Sequence, residues 1–211
     1  MKTEIVFILD KSGSMAGLEK DTIGGFNALI EKQKQADGEV TVTTVLFNHH
    51  YTLLHDRIDI KGIAPLTEAQ YNVSGTTALL DAIGNSINKM LEIQSVTLKE
   101  AQPDNVLFVI TTDGEENSST QYDVNTIKKF ISKQKELGWE FMFLGANIDA
   151  IQTASKFGLQ ANDAVDFIAD SQGTQVIYEA LAEQIISVRS TGKRASNWKA
   201  SIEKDTMARK K

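Results

Sequence analysis

Glu4-Ile5-Val6-Phe7-Ile8-Leu9-Asp10-Lys11-Ser12-Gly13-Ser14-Met15 is the stretch on which the fold turns. Its first half is an apolar run with β-branched residues and reads as a buried strand. A helical pattern begins near Leu18, so Asp10, Ser12 and Ser14 lie on a strand-to-helix loop. That loop leaves the carboxyl end of the strand, the edge at which open α/β sheets bind ligands. A carboxylate and two hydroxyls at alternate positions offer oxygen donors only, which suit a hard cation such as Mg²⁺ or Mn²⁺.

Outward from this loop the hydrophobic period alternates between helix and strand. Ile23, Phe26, Leu29 and Ile30 mark one face of a helix over about residues 18–36, which Gly38 ends. Gly24-Gly25 weakens that helix by up to ~1 kcal/mol per glycine, which implies that something packs closely against its backbone. Val40–Phe47 reads as a strand, Asn48-His49-His50 as a turn, and Tyr51–Ile60 as a returning edge strand of a hairpin. Pro65 opens a short irregular or helical segment, and Leu80, Ile83, Ile87 and Leu91 trace a helix from about Thr77 to Ile93.

Asn105–Thr111 is the most hydrophobic strand and is expected at the centre of the sheet. Val124, Ile127 and Ile131 give the next helix, which ends near Gly138, and Trp139–Leu144 a strand. A helix near Asp149–Phe157, a short strand Val165–Ala169 and a helix through Ile177, Leu181, Ile185 and Val188 complete the pattern. The rhythm predicts a doubly wound α/β domain with a six-stranded, mostly parallel sheet. One antiparallel edge strand and helices on both faces complete the expected architecture. The domain is expected over residues 1–190, followed by a basic C-terminal tail, 191–211, with the spacing of a short helix.

Composition narrows the function. The 211 residues are 41% hydrophobic and 24% charged, as in an ordinary globular protein. There is no cysteine, which excludes disulfides and thiolate metal sites. No secretory pattern opens the chain, and no apolar run approaches the roughly 18 residues of a membrane span. A cytoplasmic location is therefore expected. The net charge of -6 is unevenly spread: from Arg189 to Lys211 eight Lys or Arg meet only Glu203 and Asp205, leaving 14 basic and 26 acidic residues elsewhere. So acidic a body argues against nucleic-acid binding, whose affinity comes mainly from neutralising phosphates.

Two further loops carry matching chemistry. Ser74-Gly75-Thr76-Thr77-Ala78-Leu79 precedes a helix, and Thr111-Thr112-Asp113-Gly114 closes the central strand. If the first and central strands are neighbours, Asp10 and Asp113 emerge at one sheet edge, where Ser12, Ser14 and a threonine can face the same point. Water would complete the octahedron around two carboxylates and three hydroxyls.

In these residues the chain resembles the von Willebrand factor A domain family, in its bacterial, intracellular, stand-alone form. The family's metal-ion-dependent adhesion site combines a D-x-S-x-S loop, a threonine and an aspartate, here Asp10-Lys11-Ser12-Gly13-Ser14, the Gly75–Thr77 loop and Thr112-Asp113-Gly114. Ser-Gly-Thr-Thr77-Ala-Leu-Leu-Asp-Ala-Ile is similar to a bacterial G-G-T-A-L-x-D-A-I form, which puts Thr77 at the ligand position and leaves Thr76 as the alternative. The resemblance implies Mg²⁺ or Mn²⁺ held directly by Ser12 and Ser14, and by Thr77 when a ligand is engaged. Asp10 and Asp113 would act mostly through water. It further implies a protein partner whose Asp or Glu carboxylate completes the shell, in some relatives beside AAA+ ATPases, and binding without turnover.

Other polar clusters have simpler readings. Glu115 and Glu116 either tune the site's field or favour the coming helix start, and Asn147 and Asp149 either form a rim or cap a helix. His49, His50 and His55 fit a polar hairpin better than a transition-metal site. Ser187–Arg194 lacks the first glycine and the final Ser/Thr of a phosphate loop. Ala195, Trp198 and Ile202 at helical spacing make the tail either a partner-docking helix, a frayed end, or a segment packed back on the acidic body. Two other functions use the same loops: a metal-dependent hydrolase or phosphotransferase, and a structural subunit whose site binds no partner.

Overall fold

The computed structural model describes residues 1–146 and 148–209. The elements are β1 (Lys2–Asp10), α1 (Glu19–Lys34), β2 (Glu39–Phe47), β3 (Tyr51–Asp59), α2 (Leu79–Val96) and β4 (Asn105–Thr112). They continue with α3 (Val124–Glu136), β5 (Glu140–Ala146), α4 (Ala150–Lys156), β6 (Ala164–Phe167), α5 (Ser171–Thr191) and α6 (Ala200–Arg209). One sheet runs in the order β3-β2-β1-β4-β5-β6, parallel throughout except for the antiparallel edge strand β3. The doubly wound α/β architecture expected from the sequence is the one found.

Strand alternation divides the interior into two cores. Ile5, Phe7 and Leu9 of β1 face α1 and α5, among Phe26, Leu29, Tyr71, Val109, Leu181 and Ile185. Val6 and Ile8 face the other way, toward Leu79, Ile83 and Ile87 of α2 and Ile127 and Ile131 of α3. A strand buried on both sides has no polar face, which is why residues 5–9 read as one unbroken apolar run.

The glycine pair in α1 is half explained. A Cβ on Gly25 would fall 2.2 Å from Cδ2 of Tyr178, so the bare backbone admits that ring from α5. Gly24 has nothing within 4 Å. The segment opened by Pro65 is irregular, held to α1 by Asn27, whose side chain bonds both the amide and the carbonyl of Leu66 at 2.7 and 2.9 Å. The last long helix starts at Ser171, ahead of its apolar pattern, because Asp170 caps it through the Gly173 amide at 2.8 Å.

The basic C-terminal segment folds back on the domain. Trp198 and Ile202 are buried in the α5 core, and the Trp198 indole donates to the Asn162 carbonyl at 2.7 Å. Arg194 bonds Glu140 and Asp163, each at 2.6 Å, and Arg209 bonds Asp170 at 2.6 Å. Part of the charge asymmetry seen in the sequence is thus neutralised within the fold. Lys210 and Lys211 lie outside the described residues. No helix among the described residues is long and apolar enough to cross a membrane.

Because β1 is flanked by β2 on one side and β4 on the other, the chain reverses its winding between β1 and β4. The carboxyl ends of the strands at such a reversal are the usual ligand position of these sheets. In register, Leu9 stands beside Thr111, so Asp10 and Thr112 leave the sheet together.

Candidate metal centre

Backbone bonds build the scaffold before any side chain is considered. Leaving β1, the Lys11 amide donates to the Phe47 carbonyl at 2.7 Å, and the Lys11 carbonyl accepts from the Ser74 amide at 2.9 Å. The Gly13 amide donates to Gly75 O at 2.9 Å, where a Cβ on Gly13 would approach that oxygen to 3.2 Å. Gly75 has φ +77°, which favours glycine. The third loop joins through Asn117, which exchanges bonds with the Thr77 backbone at 2.9 and 3.0 Å.

On this scaffold the five sequence-predicted residues come together. Asp10 is fully buried; one carboxylate oxygen accepts from the Ser12 amide at 2.7 Å and the other from the Thr112 hydroxyl at 2.6 Å. The Ser12 and Ser14 hydroxyl oxygens are 3.0 Å apart. A Cβ built on Gly114 would lie 2.8 Å from Thr77 Oγ1, 2.9 Å from Ser14 Oγ and 3.6 Å from Ser12 Oγ, so the three hydroxyls face one small space. Thr77 is buried while Thr76 is exposed, which puts the hydroxyl of Thr77 and not of Thr76 in the cluster. Asp113 is 5% exposed, and its Oδ1 is a buried acceptor with no hydrogen-bond partner.

The electrostatics of the two acids agree with this geometry. Burial pushes the Asp10 carboxyl up to about 6, against the bonds from Thr112 and Ser12, and the nearby Asp113 charge adds to the rise. Burial also raises Asp113, with the Ser14 hydroxyl pulling the other way. Neither acid joins an ion pair among the described residues. Two buried carboxylates with no ion-pair partner among the described residues, one orphaned oxygen and three convergent hydroxyls are a donor set that fits a hard divalent cation. No group of three or more His, Cys, Asp or Glu that could hold a metal occurs among the described residues. Such a group is not required where hydroxyls form most of the donor set.

The remaining candidates separate. Glu116 accepts from the Leu80 amide at 2.9 Å and from the Ser118 and Ser119 amides, so it serves the start of α2 and its own loop rather than the helix that follows. Glu115 is exposed. Asp149 caps α4 through the Gln152 amide at 2.7 Å; Asn147 lies outside the described residues. His50 belongs to the β2–β3 turn, His55 bonds Thr44 at 3.0 Å, and the His49 ring lies against Gly75. Ser187–Thr191 is the last turn of α5, closed by Gly192 at φ 76°, and is no phosphate loop.

Sequence reasoning missed Thr112 as the donor to Asp10, and Tyr71, whose hydroxyl donates to the Asp10 carbonyl. Thr112 was within the quoted motif and could have been found by its place beside Asp10 in the sheet. Tyr71 has no local signal.

No protein-family model matches the sequence, and a search of curated proteins gives no match. Solved structures do match in fold. The vWF domain of the type V pili tip protein Mfa5 from Porphyromonas gingivalis superposes with a TM-score of 0.64 at 11% identity, over 92% of this chain and 98% of that one. The pilus adhesin SpaC from Lactobacillus rhamnosus GG, in an open conformation, gives 0.63 at 13% identity, over 89% of this chain and 30% of that one. Proximal thread matrix protein 1 from the mussel byssus, with a zinc-occupied MIDAS motif, gives 0.58 at 13% identity, over 87% and 46%. This chain therefore spans less than half of the mussel protein. Its fold is von Willebrand factor A-like.

Proposed function

We propose that this von Willebrand factor A-like chain is a divalent-cation-dependent protein-binding module. Ser12 and Ser14 would hold Mg²⁺ or Mn²⁺ directly, Thr77 would join them when a ligand is engaged, and Asp10 and Asp113 would act mostly through water. The observation that carries the reading is the convergence of the three hydroxyls beside the partnerless, buried Asp113 Oδ1.

When bound, the cation supplies an electrophilic position that a partner's Asp or Glu carboxylate completes. The chain's own residues account for that openness. Neutral hydroxyls in contact with the ion leave its charge less compensated than direct carboxylates would, and Ser14, Gly75 and Thr76 are exposed, so the cluster opens to solvent. Both oxygens of Asp10 are engaged by Ser12 and Thr112, which makes it an anchor of the loop and a poor nucleophile. We therefore read the site as binding without turnover. The partner we propose is a protein presenting an acidic residue, with an AAA+ ATPase-associated assembly one candidate. The absence of cysteine favours a reducing compartment such as the cytoplasm.

The test is thermal. Saturating Mg²⁺ or Mn²⁺ should raise the melting temperature of the wild type, and Asp10→Ala or Ser12→Ala should abolish the rise. A wild-type melting curve unmoved by either ion would overturn the proposal.

A further inference from the structure

The peptide units that lead into Ser12 are held at both ends. In the Asp10–Lys11 unit the amide donates to Phe47 O at 2.7 Å, and the carbonyl accepts from the hydroxyl of Tyr71. In the Lys11–Ser12 unit the carbonyl accepts from the Ser74 amide at 2.9 Å, and the amide donates to Asp10 Oδ1 at 2.7 Å. Peptide planarity makes each pair of bonds fix one plane. Two fixed planes in succession leave Ser12 little freedom in where it presents its hydroxyl.

Three of these four bonds come from the backbone or from Asp10 itself. The fourth comes from a side chain 61 positions away, on the irregular segment before α2. Tyr71 is 1% exposed and packs in the α1–α5 core. The Thr22 hydroxyl and the Tyr178 phenol border its own phenol. Tyr178 is the ring admitted by Gly25. A buried phenol needs a partner, and this one takes the carbonyl of the residue that opens the metal loop.

We propose that Tyr71 is a positioning residue for the cation site: through the Asp10 carbonyl it sets the plane from which Ser12 and Ser14 are presented. The inference rests on the cation reading above. Groups that orient metal ligands typically change affinity by about 10–100-fold when removed. Tyr71 acts through a backbone group, so the lower end of that range applies.

Tyr71→Phe keeps the ring in the core and removes only the hydroxyl. In calorimetric titration with MgCl₂ alone, below the melting temperature of both proteins, the variant should bind about 10-fold more weakly than the wild type. A variant that melts earlier but binds Mg²⁺ as tightly as wild type would show a role in packing only, and would overturn the inference while leaving the cation reading intact. A wild type that takes up no Mg²⁺ would overturn both.

If Tyr71→Phe does not fold, the wild type alone gives the answer, because coupling between two sites is reciprocal. Mg²⁺ should slow hydrogen exchange at the Gln70 and Tyr71 amides, which bond Thr67 O in the same segment. Exchange there that is the same with and without Mg²⁺ would overturn the inference.

Discussion

Gly114→Ala is the substitution that most sharply exposes the geometry of the site. Its methyl group would fall 2.8 Å from Thr77 Oγ1 and 2.9 Å from Ser14 Oγ, inside the space the hydroxyls share. Gly114 is not among the positive-φ glycines, so alanine meets no backbone strain. Without metal the cost is partly offset: alanine gains about 0.4–1 kcal/mol by restricting the unfolded chain, and exposed Ser14 can rotate away while buried Thr77 must shift. With metal the outcome differs. A cation present at 100 times its dissociation constant stabilises the folded state by about 2.7 kcal/mol. For a chain of this size that amounts to a rise in melting temperature of about 5–11 °C. Differential scanning fluorimetry should show such a rise for wild type on adding Mg²⁺, and less than about 2 °C for Gly114→Ala. A variant that melts like wild type without metal and still gains the full shift would refute the convergence of Ser12, Ser14 and Thr77 on one ion.

The two neighbouring glycines of α1 should respond to alanine with opposite signs in urea denaturation. Gly24→Ala, with nothing within 4 Å, should stabilise by up to about 1 kcal/mol, whereas Gly25→Ala, forced against Tyr178, should destabilise by about 1–2 kcal/mol. Equal shifts would contradict the packing of α5 on α1. Trp198→Ala should cost about 3–5 kcal/mol, since the indole is 2% exposed and bonded to Asn162; a cost under about 1 kcal/mol would mean that the C-terminal segment does not belong to the core. Asp163 governs an acid limb of stability. Burial alone would raise its carboxyl, but Lys135, the Gln160 amide and Arg194 outweigh this and hold it below its usual value of 3.8. A depressed native pKa gives stability that is complete above the unfolded value and lost as pH falls through the native one. Asp163→Asn should therefore cost about 1.5–3 kcal/mol at neutral pH, and its gap from wild type should narrow as pH falls below about 4; a gap independent of pH would refute the assignment.

The fold was legible because its signals are local. Residues 5–9 and 106–110 are buried on both faces and so carry unbroken apolar runs, while α3 buries one face and keeps a helical period. The residues of the candidate site stood out for a different reason: Asp10, Ser12 and Ser14 recur within five positions, and Thr77 and Asp113 sit in polar loops beside a helix start and a strand end. The sequence left Thr76 and Thr77 open, and burial separates them. Contacts between distant segments left no trace. Tyr71 reaches Asp10 across 61 positions, Arg189 binds the carbonyls of Gln33, Ala36 and Asp37 across more than 150, and Trp198 docks on Asn162 across 36. Each is a single side chain meeting backbone oxygens far away in the chain, which creates no periodicity to read. Gly25 announced a close approach without naming Tyr178, because a missing side chain marks the space and not its occupant.

The claim of cation-dependent partner binding is tested most directly by affinity capture from native lysate. Wild-type protein and Thr77→Ala would each be immobilised and run in parallel in Mg²⁺ and in EDTA. Our reading predicts a protein retained by wild type in Mg²⁺, eluted by EDTA, and not retained by Thr77→Ala. The same set of captured proteins under all four conditions would contradict it.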